Sequence, residues 1–156
     1  MLSKAGAVLL GGGVAGAIDI TYAIVYSFLR ARVAPMTLLQ SVASGLLGPD
    51  AFKSGATTAA LGLGLHFFIA LSWAAIYVAA ARVLPVLAQK PLLCGASYGV
   101  LVFAFMNLVV IPLSRTPPRT SISMLTLSTG LLVHMFGIGL PIALAARRAF
   151  AGQIIN

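Results

Sequence analysis

Long apolar runs, separated by short stretches that hold most of the charged residues, are the dominant pattern of this chain. A helix needs about 20 consecutive apolar residues to cross a bilayer, and windows of that length and composition occur four times. They run from Ala5 to Leu29, from Thr57 to Ala81, from Pro91 to Leu113 and from Met124 to Ala146. The pattern predicts an all-α polytopic membrane protein, one integral domain over residues 1–156, folded as a four-transmembrane-helix bundle.

The segment between the first two runs, Ala31 to Ala56, is too long for a tight turn and too apolar for a solvated loop. Pro35 can occupy the first turn of a helix there. Five apolar residues would then share one face, Leu38, Leu39, Val42, Leu46 and Leu47, with Gln40, Ser41 and Ser44 on the other. We predict a short amphipathic helix near Pro35 to Leu47 in the membrane interface, ended by Gly48, Pro49 and Asp50. At the last run, Thr120, Ser121 and Ser123 are good N-cap residues.

Composition agrees with a membrane location, because 60% of the 156 residues are hydrophobic and only 8% are charged. Little chain remains outside the apolar runs, so a soluble catalytic domain is excluded. The formal charge of +8 would be compatible with nucleic-acid binding if the cations were clustered. They instead flank the ends of the runs, where they would meet lipid headgroups: Lys4, Arg30, Arg32, Lys53, Arg82, Lys90, Arg115, Arg119, Arg147 and Arg148. The expected partner is therefore the lipid bilayer and not nucleic acid.

The orientation in the membrane follows only weakly from these cations. With the N-terminus inside, five of them flank the inner ends of the runs and five flank the outer ends. The pair Arg147 and Arg148, directly after the last run, favours cytoplasmic N- and C-termini by the positive-inside rule.

Three ionisable residues lie inside the apolar runs, and they are the candidates for function. Asp19, His66 and His134 each fall within about 4 Å of the midpoint of their run, so they share one depth in the bilayer. Ionisable groups in hydrocarbon cost a few kcal/mol and usually face a protein interior. Asn107, about one turn away in depth, could complete a polar lining. These four residues form the predicted ligand or proton site.

Helical spacing indicates which other residues line that site. Gly12, Gly16, Asp19, Tyr22 and Tyr26 share a stripe on the first run, and His66 aligns with Trp73 on the second. On the fourth run His134 aligns with Gly137 and Pro141. Pro141 has no N–H and leaves the carbonyl of Gly137 without its helical donor, a kind of helix break that lines membrane binding sites. The predicted lining is Tyr22, Trp73, Gly137 and Pro141.

Several functions are compatible with these residues. A lone membrane histidine often only bonds a carbonyl on the next helix, as packing worth about 1 kcal/mol. Three ionisable groups at one depth favour a non-enzymatic inner-membrane protein with a site for a proton or a small polar ligand. The pairs Gly12/Gly16 and Gly95/Gly99 allow close helix contacts, including those of a homo-oligomer or a larger membrane complex.

Three alternatives stay open. His66 and His134 could be the axial ligands of a b-type haem, facing each other across an up-down bundle. Asp19, His66 and His134 could instead form a metal site, although their spacing in the sequence is not that of a metal-binding motif. The chain could also be a structural accessory subunit that packs against a larger complex.

Five stretches resemble uncharacterised small four-span bacterial inner-membrane proteins, the YagU-like group. They are residues 15–20 (AGAIDI), 39–48 (LQSVASGLLG), 61–67 (LGLGLHF), 106–114 (MNLVVIPLS) and 134–141 (HMFGIGLP). The resemblance covers nearly the whole chain. It implies a bacterial inner membrane and four helices, and it implies no activity.

Overall fold

The computed structural model describes residues 2–117 and 123–153, and these residues form helices joined by short turns. The helices are α1 (Lys4–Ala31), α2 (Pro35–Leu47), α3 (Gly55–Val83), α4 (Val86–Gln89), α5 (Pro91–Leu113) and α6 (Met124–Phe150), with 3₁₀ turns at Gly48–Lys53 and Ala151–Gln153. These two ranges contain no β-strand. Ser123 caps α6 by accepting a hydrogen bond from the Thr126 N–H. The other two predicted caps, Thr120 and Ser121, lie outside the described residues, as do Pro118 and Arg119.

Four of these helices are long and apolar enough to cross a membrane. They are α1, α3, α5 and α6, with 28, 29, 23 and 27 residues. Even the shortest spans about 34 Å at the α-helical rise, which exceeds the hydrocarbon thickness of a typical bilayer. The predicted all-helical class and the four apolar helices are therefore confirmed, with ends that differ by a few residues from the prediction.

The long helices approach one another closely through glycine. α1 packs between α3 and α6, and α5 packs along α6. A Cβ at Gly16 would lie 2.9 Å from the Phe67 ring of α3, and a Cβ at Gly99 would collide with the carbonyl of His134 on α6. The predicted close contacts at Gly12/Gly16 and Gly95/Gly99 are therefore present, and they lie within the chain.

Small side chains fill the half of the molecule that carries the termini. Tyr77 and Ile142 are the largest fully buried side chains there, and each is only 1% exposed. The Tyr77 hydroxyl donates to the carbonyl of Leu87, beside the short α4. The remaining buried residues of this core are mostly alanine: Ala7, Ala15, Ala74, Val78, Ala81, Ala88, Ile138, Ala143, Ala145, Ala146 and Phe150. This half leaves little space between the helices.

Helix α2 docks on the opposite half and has the bounds that the sequence predicts. Its polar face points inward, since Gln40 and Ser44 are buried and the Gln40 amide donates to the carbonyl of Gly55. Of the predicted apolar face, Leu46 is 55% exposed, whereas Leu38, Leu39, Val42 and Leu47 are half-buried. The Arg115 N–H donates to the carbonyl of Gly45, which joins α2 to the end of α5.

Helices α5 and α6 each contain one wide turn of π-helix. The turns are Met106–Val110 and His134–Gly139, and their last hydrogen bonds run from Ile111 to Met106 and from Leu140 to Met135. A proline follows each turn, Pro112 or Pro141, and neither can donate to the preceding turn. Such π-turns in α-helices are frequent at functional sites.

Candidate functional site

A cavity of about 820 Å³ lies in the half of the molecule opposite the chain termini. It is bounded by the later part of α1, the middle of α3, the later part of α5 and the first part of α6, with α2 along one side. Asp19, His66, Asn107 and His134 all line it. The four predicted site residues therefore come from four different helices and line a single space.

Asp19 is half-buried on α1, and its carboxylate is not tied to another side chain. Within residues 2–117 and 123–153, no hydrogen bond or salt bridge reaches it, and the salt bridge found there joins Asp50 to Lys53. Both of those residues are fully exposed, and the hydrogen bond and positive charge of Lys53 hold the pKa of Asp50 below its usual range. The two acidic residues of the chain thus have opposite surroundings.

His66 joins α3 to α1. Its Nε2 lies 2.9 Å from the carbonyl oxygen of Gly16, one turn before Asp19. Because a carbonyl can only accept, this nitrogen must carry the hydrogen. The absence of a side chain at Gly16 lets α3 come close enough for the bond, with the Phe67 ring directly over the glycine.

His134 and Asn107 each lie at the start of a π-turn, and each bonds a carbonyl of its own helix. The Nδ1 of His134 lies 2.9 Å from the carbonyl oxygen of Gly130, and the amide nitrogen of Asn107 donates over 2.9 Å to the carbonyl of Phe103. Each side chain thus bonds the carbonyl four residues earlier in its own helix. The Phe103 ring also meets the His134 ring edge-on at 5.1 Å. These contacts fix both polar side chains at the cavity wall.

Aromatic residues on α1 and α3 form much of the remaining wall. The Tyr22 hydroxyl donates to Thr129 over 2.6 Å, and that of Tyr26 lies 2.9 Å from the hydroxyl of Thr126. Trp73 is packed edge-on by Tyr98 and Phe105. The rings that line the cavity are therefore fixed by contacts with α5 and α6.

Two of the four predicted lining residues line the cavity and two do not. Tyr22 and Trp73 line the cavity, whereas Gly137 and Pro141 are not among the residues that do. Gly137 faces Ile18 of α1, where an added Cβ would lie 2.7 Å from the isoleucine side chain. The helical-wheel alignment assumed a regular α-helix, and the π-turn that begins at His134 rotates the following residues away from the histidine.

Hydroxyl residues at the ends of the helices were missing from the predicted site. They line the part of the cavity nearest the α2 end: Ser27, Ser41, Ser44, Ser114, Thr116, Ser123 and Thr126. The sequence offered a signal in the polar face of α2, but only the docked helix shows that this face points into the protein.

The hydrogen bonds of His66 and His134 limit which of their ring nitrogens could ligate a metal ion or a haem iron. Within the described ranges, no cluster of three or more His, Cys, Asp or Glu side chains has the geometry to hold a metal ion. Ligation of a haem iron by the Nε2 of His66 would break its bond to Gly16. His134 could ligate through Nε2 and keep its bond to Gly130, the arrangement that metal-bound histidines usually adopt.

Comparison with known proteins gives no match to a protein-family model, a curated protein or a solved structure. The resemblance to the YagU-like group therefore stays a prediction.

Proposed function

We propose that this chain is a non-enzymatic multi-pass inner-membrane protein whose central cavity binds a proton or a small polar ligand. Asp19, His66, His134 and Asn107 would be the binding residues. The observation that carries the proposal is that these four polar residues, from four different helices, line one cavity of about 820 Å³. A histidine with a purely structural role would also bond a carbonyl. Such a role does not require the histidines to share a cavity with Asp19 and Asn107.

The membrane arrangement is part of the proposal. In it, α1, α3, α5 and α6 form a transmembrane four-helix bundle, with α2 in the interface and both termini in the cytoplasm. The buried Gln40 and Ser44 of α2, together with its exposed Met36 and Leu46, support contact with lipid, because a helix against water would expose polar side chains and bury apolar ones. The cavity then occupies the half of the bundle away from the cytoplasm. Assembly into an oligomer or a larger complex would use outer faces, since Gly12 and Gly99 already pack within the chain.

A b-type haem protein is the second candidate, and it is favoured because the Nε2 of His134 makes no hydrogen bond within residues 2–117 and 123–153. The absorption spectrum of the purified protein tests it. A Soret band that disappears in both His66→Ala and His134→Ala would replace the ligand-binding proposal by this one.

Cysteine labelling tests the leading proposal. The native thiol is removed first by Cys94→Ala, and a thiol is then placed at 107 or at 108 in otherwise identical proteins. Asn107 lines the cavity, whereas Leu108 is 76% exposed on the outer surface of the same helix. In lipid vesicles, we expect a small neutral water-soluble thiol reagent to modify Asn107→Cys and not Leu108→Cys. Equal modification of the two would contradict the proposed membrane arrangement. An unreactive Asn107→Cys would show that water does not reach the cavity and would contradict the proposed site.

A further inference from the structure

We propose that the ligand of this cavity is a small organic cation, a protonated or quaternary amine, held by the Asp19 carboxylate against aromatic rings. This inference rests on the proposed function and names the chemical class of its ligand. It is argued from the charge of the cavity, from its aromatic lining and from its size.

The charge of the cavity wall is one-sided. Asp19 is the acidic residue that lines it, and no lysine or arginine is found among the lining residues of the described ranges. The cations of α1 lie at its two ends, with Lys4 in the first turn, Arg30 in the last turn and Arg32 directly after the helix, and all three are exposed. A carboxylate in a partly shielded space favours a positive partner much more than it would in water. No lysine or arginine among the described residues pairs with Asp19, so a cationic ligand is the best complement.

The aromatic lining suits an organic cation better than a hydrated inorganic ion. Tyr22 and Tyr26, three and seven residues beyond Asp19 on α1, lie with ring centroids 5.4 Å apart. Trp73 and Phe103 line the same space from α3 and α5. Aromatic faces attract alkylammonium groups through their π-electrons, and tryptophan attracts them most strongly. The Tyr22 and Tyr26 hydroxyls are already bonded to α6, so their rings would contribute chiefly through their π-systems.

The size of the cavity separates a molecular ligand from a proton alone. Its volume of about 820 Å³ falls within the range of about 300–1,000 Å³ that is usual for small-molecule sites. A proton relay needs only a file of water between the polar groups. A proton relay has no use for the apolar and aromatic surface around Asp19, whereas the carbon skeleton of an amine would pack against it.

Fluorescence of the single tryptophan provides the test, because Trp73 lines the cavity. The probe is benzyltrimethylammonium, and its control is neopentylbenzene, in which carbon replaces the charged nitrogen without a change of shape. In detergent-solubilised full-length protein, we expect saturable binding of the cation and binding of the neutral isostere weaker by about tenfold or more. Equal binding of the two by the wild-type protein would overturn the proposal without the use of any variant.

Two matched variants locate the charge. Asp19→Asn should weaken binding of benzyltrimethylammonium by about tenfold and leave neopentylbenzene unchanged. Asp50→Asn alters the other acidic residue, which is exposed and paired with Lys53, and should leave both unchanged. Loss of cation binding in Asp50→Asn alone would contradict the assignment to Asp19. The labelling of Asn107→Cys separates the two proposals. If Asn107→Cys is labelled from water but benzyltrimethylammonium shows no saturable binding, the proposed ligand class is wrong and the polar site stands. If Asn107→Cys is unreactive, the proposed function and the proposed ligand are both wrong.

Discussion

At the scale of single residues, the two histidines have opposite hydrogen-bonding arrangements. His66 places Nε2 on a carbonyl of the neighbouring α1, whereas His134 places Nδ1 on a carbonyl of its own helix. Each bond requires hydrogen on the nitrogen that makes it, so in the neutral form the opposite nitrogen is an acceptor. Among the described residues, the Nδ1 of His66 and the Nε2 of His134 therefore have no hydrogen-bond partner at the cavity wall.

This difference gives a prediction for histidine tautomers. In protein labelled with ¹⁵N at its two histidines, we expect the neutral rings to show the nitrogen chemical shifts of an Nε2–H tautomer for His66 and of an Nδ1–H tautomer for His134. His66→Gln and His134→Gln assign the signals. Two Nε2–H signals would show that His134 does not bond Gly130.

At the scale of elements, the docking of α2 on α3 depends on one glycine. A Cβ on Gly62 would collide with the carbonyl of Leu39, and the neighbouring Ala43 is fully buried. The polar bonds from Gln40 and Thr58 then connect the start of α3 to α2 and to the carbonyl of Ala51. α2 is thus part of the cavity wall because α3 has no side chain at this contact.

Substitution of this glycine tests the contact. We expect Gly62→Ala to lower the free energy of unfolding by about 1–3 kcal/mol, because backbone atoms must separate to admit the methyl group. Gly64→Ala is the control on the same helix, since its Cβ would meet nothing within 4 Å and alanine favours a helix over glycine. Thermal unfolding in detergent, followed by circular dichroism, measures both. A loss of stability in Gly64→Ala equal to that in Gly62→Ala would contradict the docking of α2.

The elements also show how far sequence reasoning could reach. Apolar length and cation positions were sufficient to predict four long helices, and the proline and polar spacing were sufficient for α2. The depth of Asp19, His66 and His134 followed from the same lengths. To predict that they share a cavity requires the rotation of each helix about its own axis. Hydropathy does not determine this rotation when nearly every face is apolar. Gly137 and Pro141 are not among the residues that line the cavity, because the π-turn at His134 changes that rotation.

At the scale of the whole molecule, close packing and open space are divided between two halves. Alanine and glycine bring the helices together near the termini, and larger aromatic residues hold them around the cavity at the other end. The division places the polar residues near the middle of the long helices, where the packed half ends. A ligand could therefore reach Asp19 from the α2 end, while the packed half closes the path beyond it.

The most direct test of this arrangement is whether water or lipid surrounds the two histidine rings in a bilayer. Solid-state NMR can measure transfer of magnetisation to the labelled rings from water protons and from lipid acyl-chain protons. We expect both His66 and His134 to receive magnetisation from water and little from acyl chains, because both rings line the interior cavity. Dominant transfer from acyl chains to either ring would place that histidine on the outer surface and contradict the shared site.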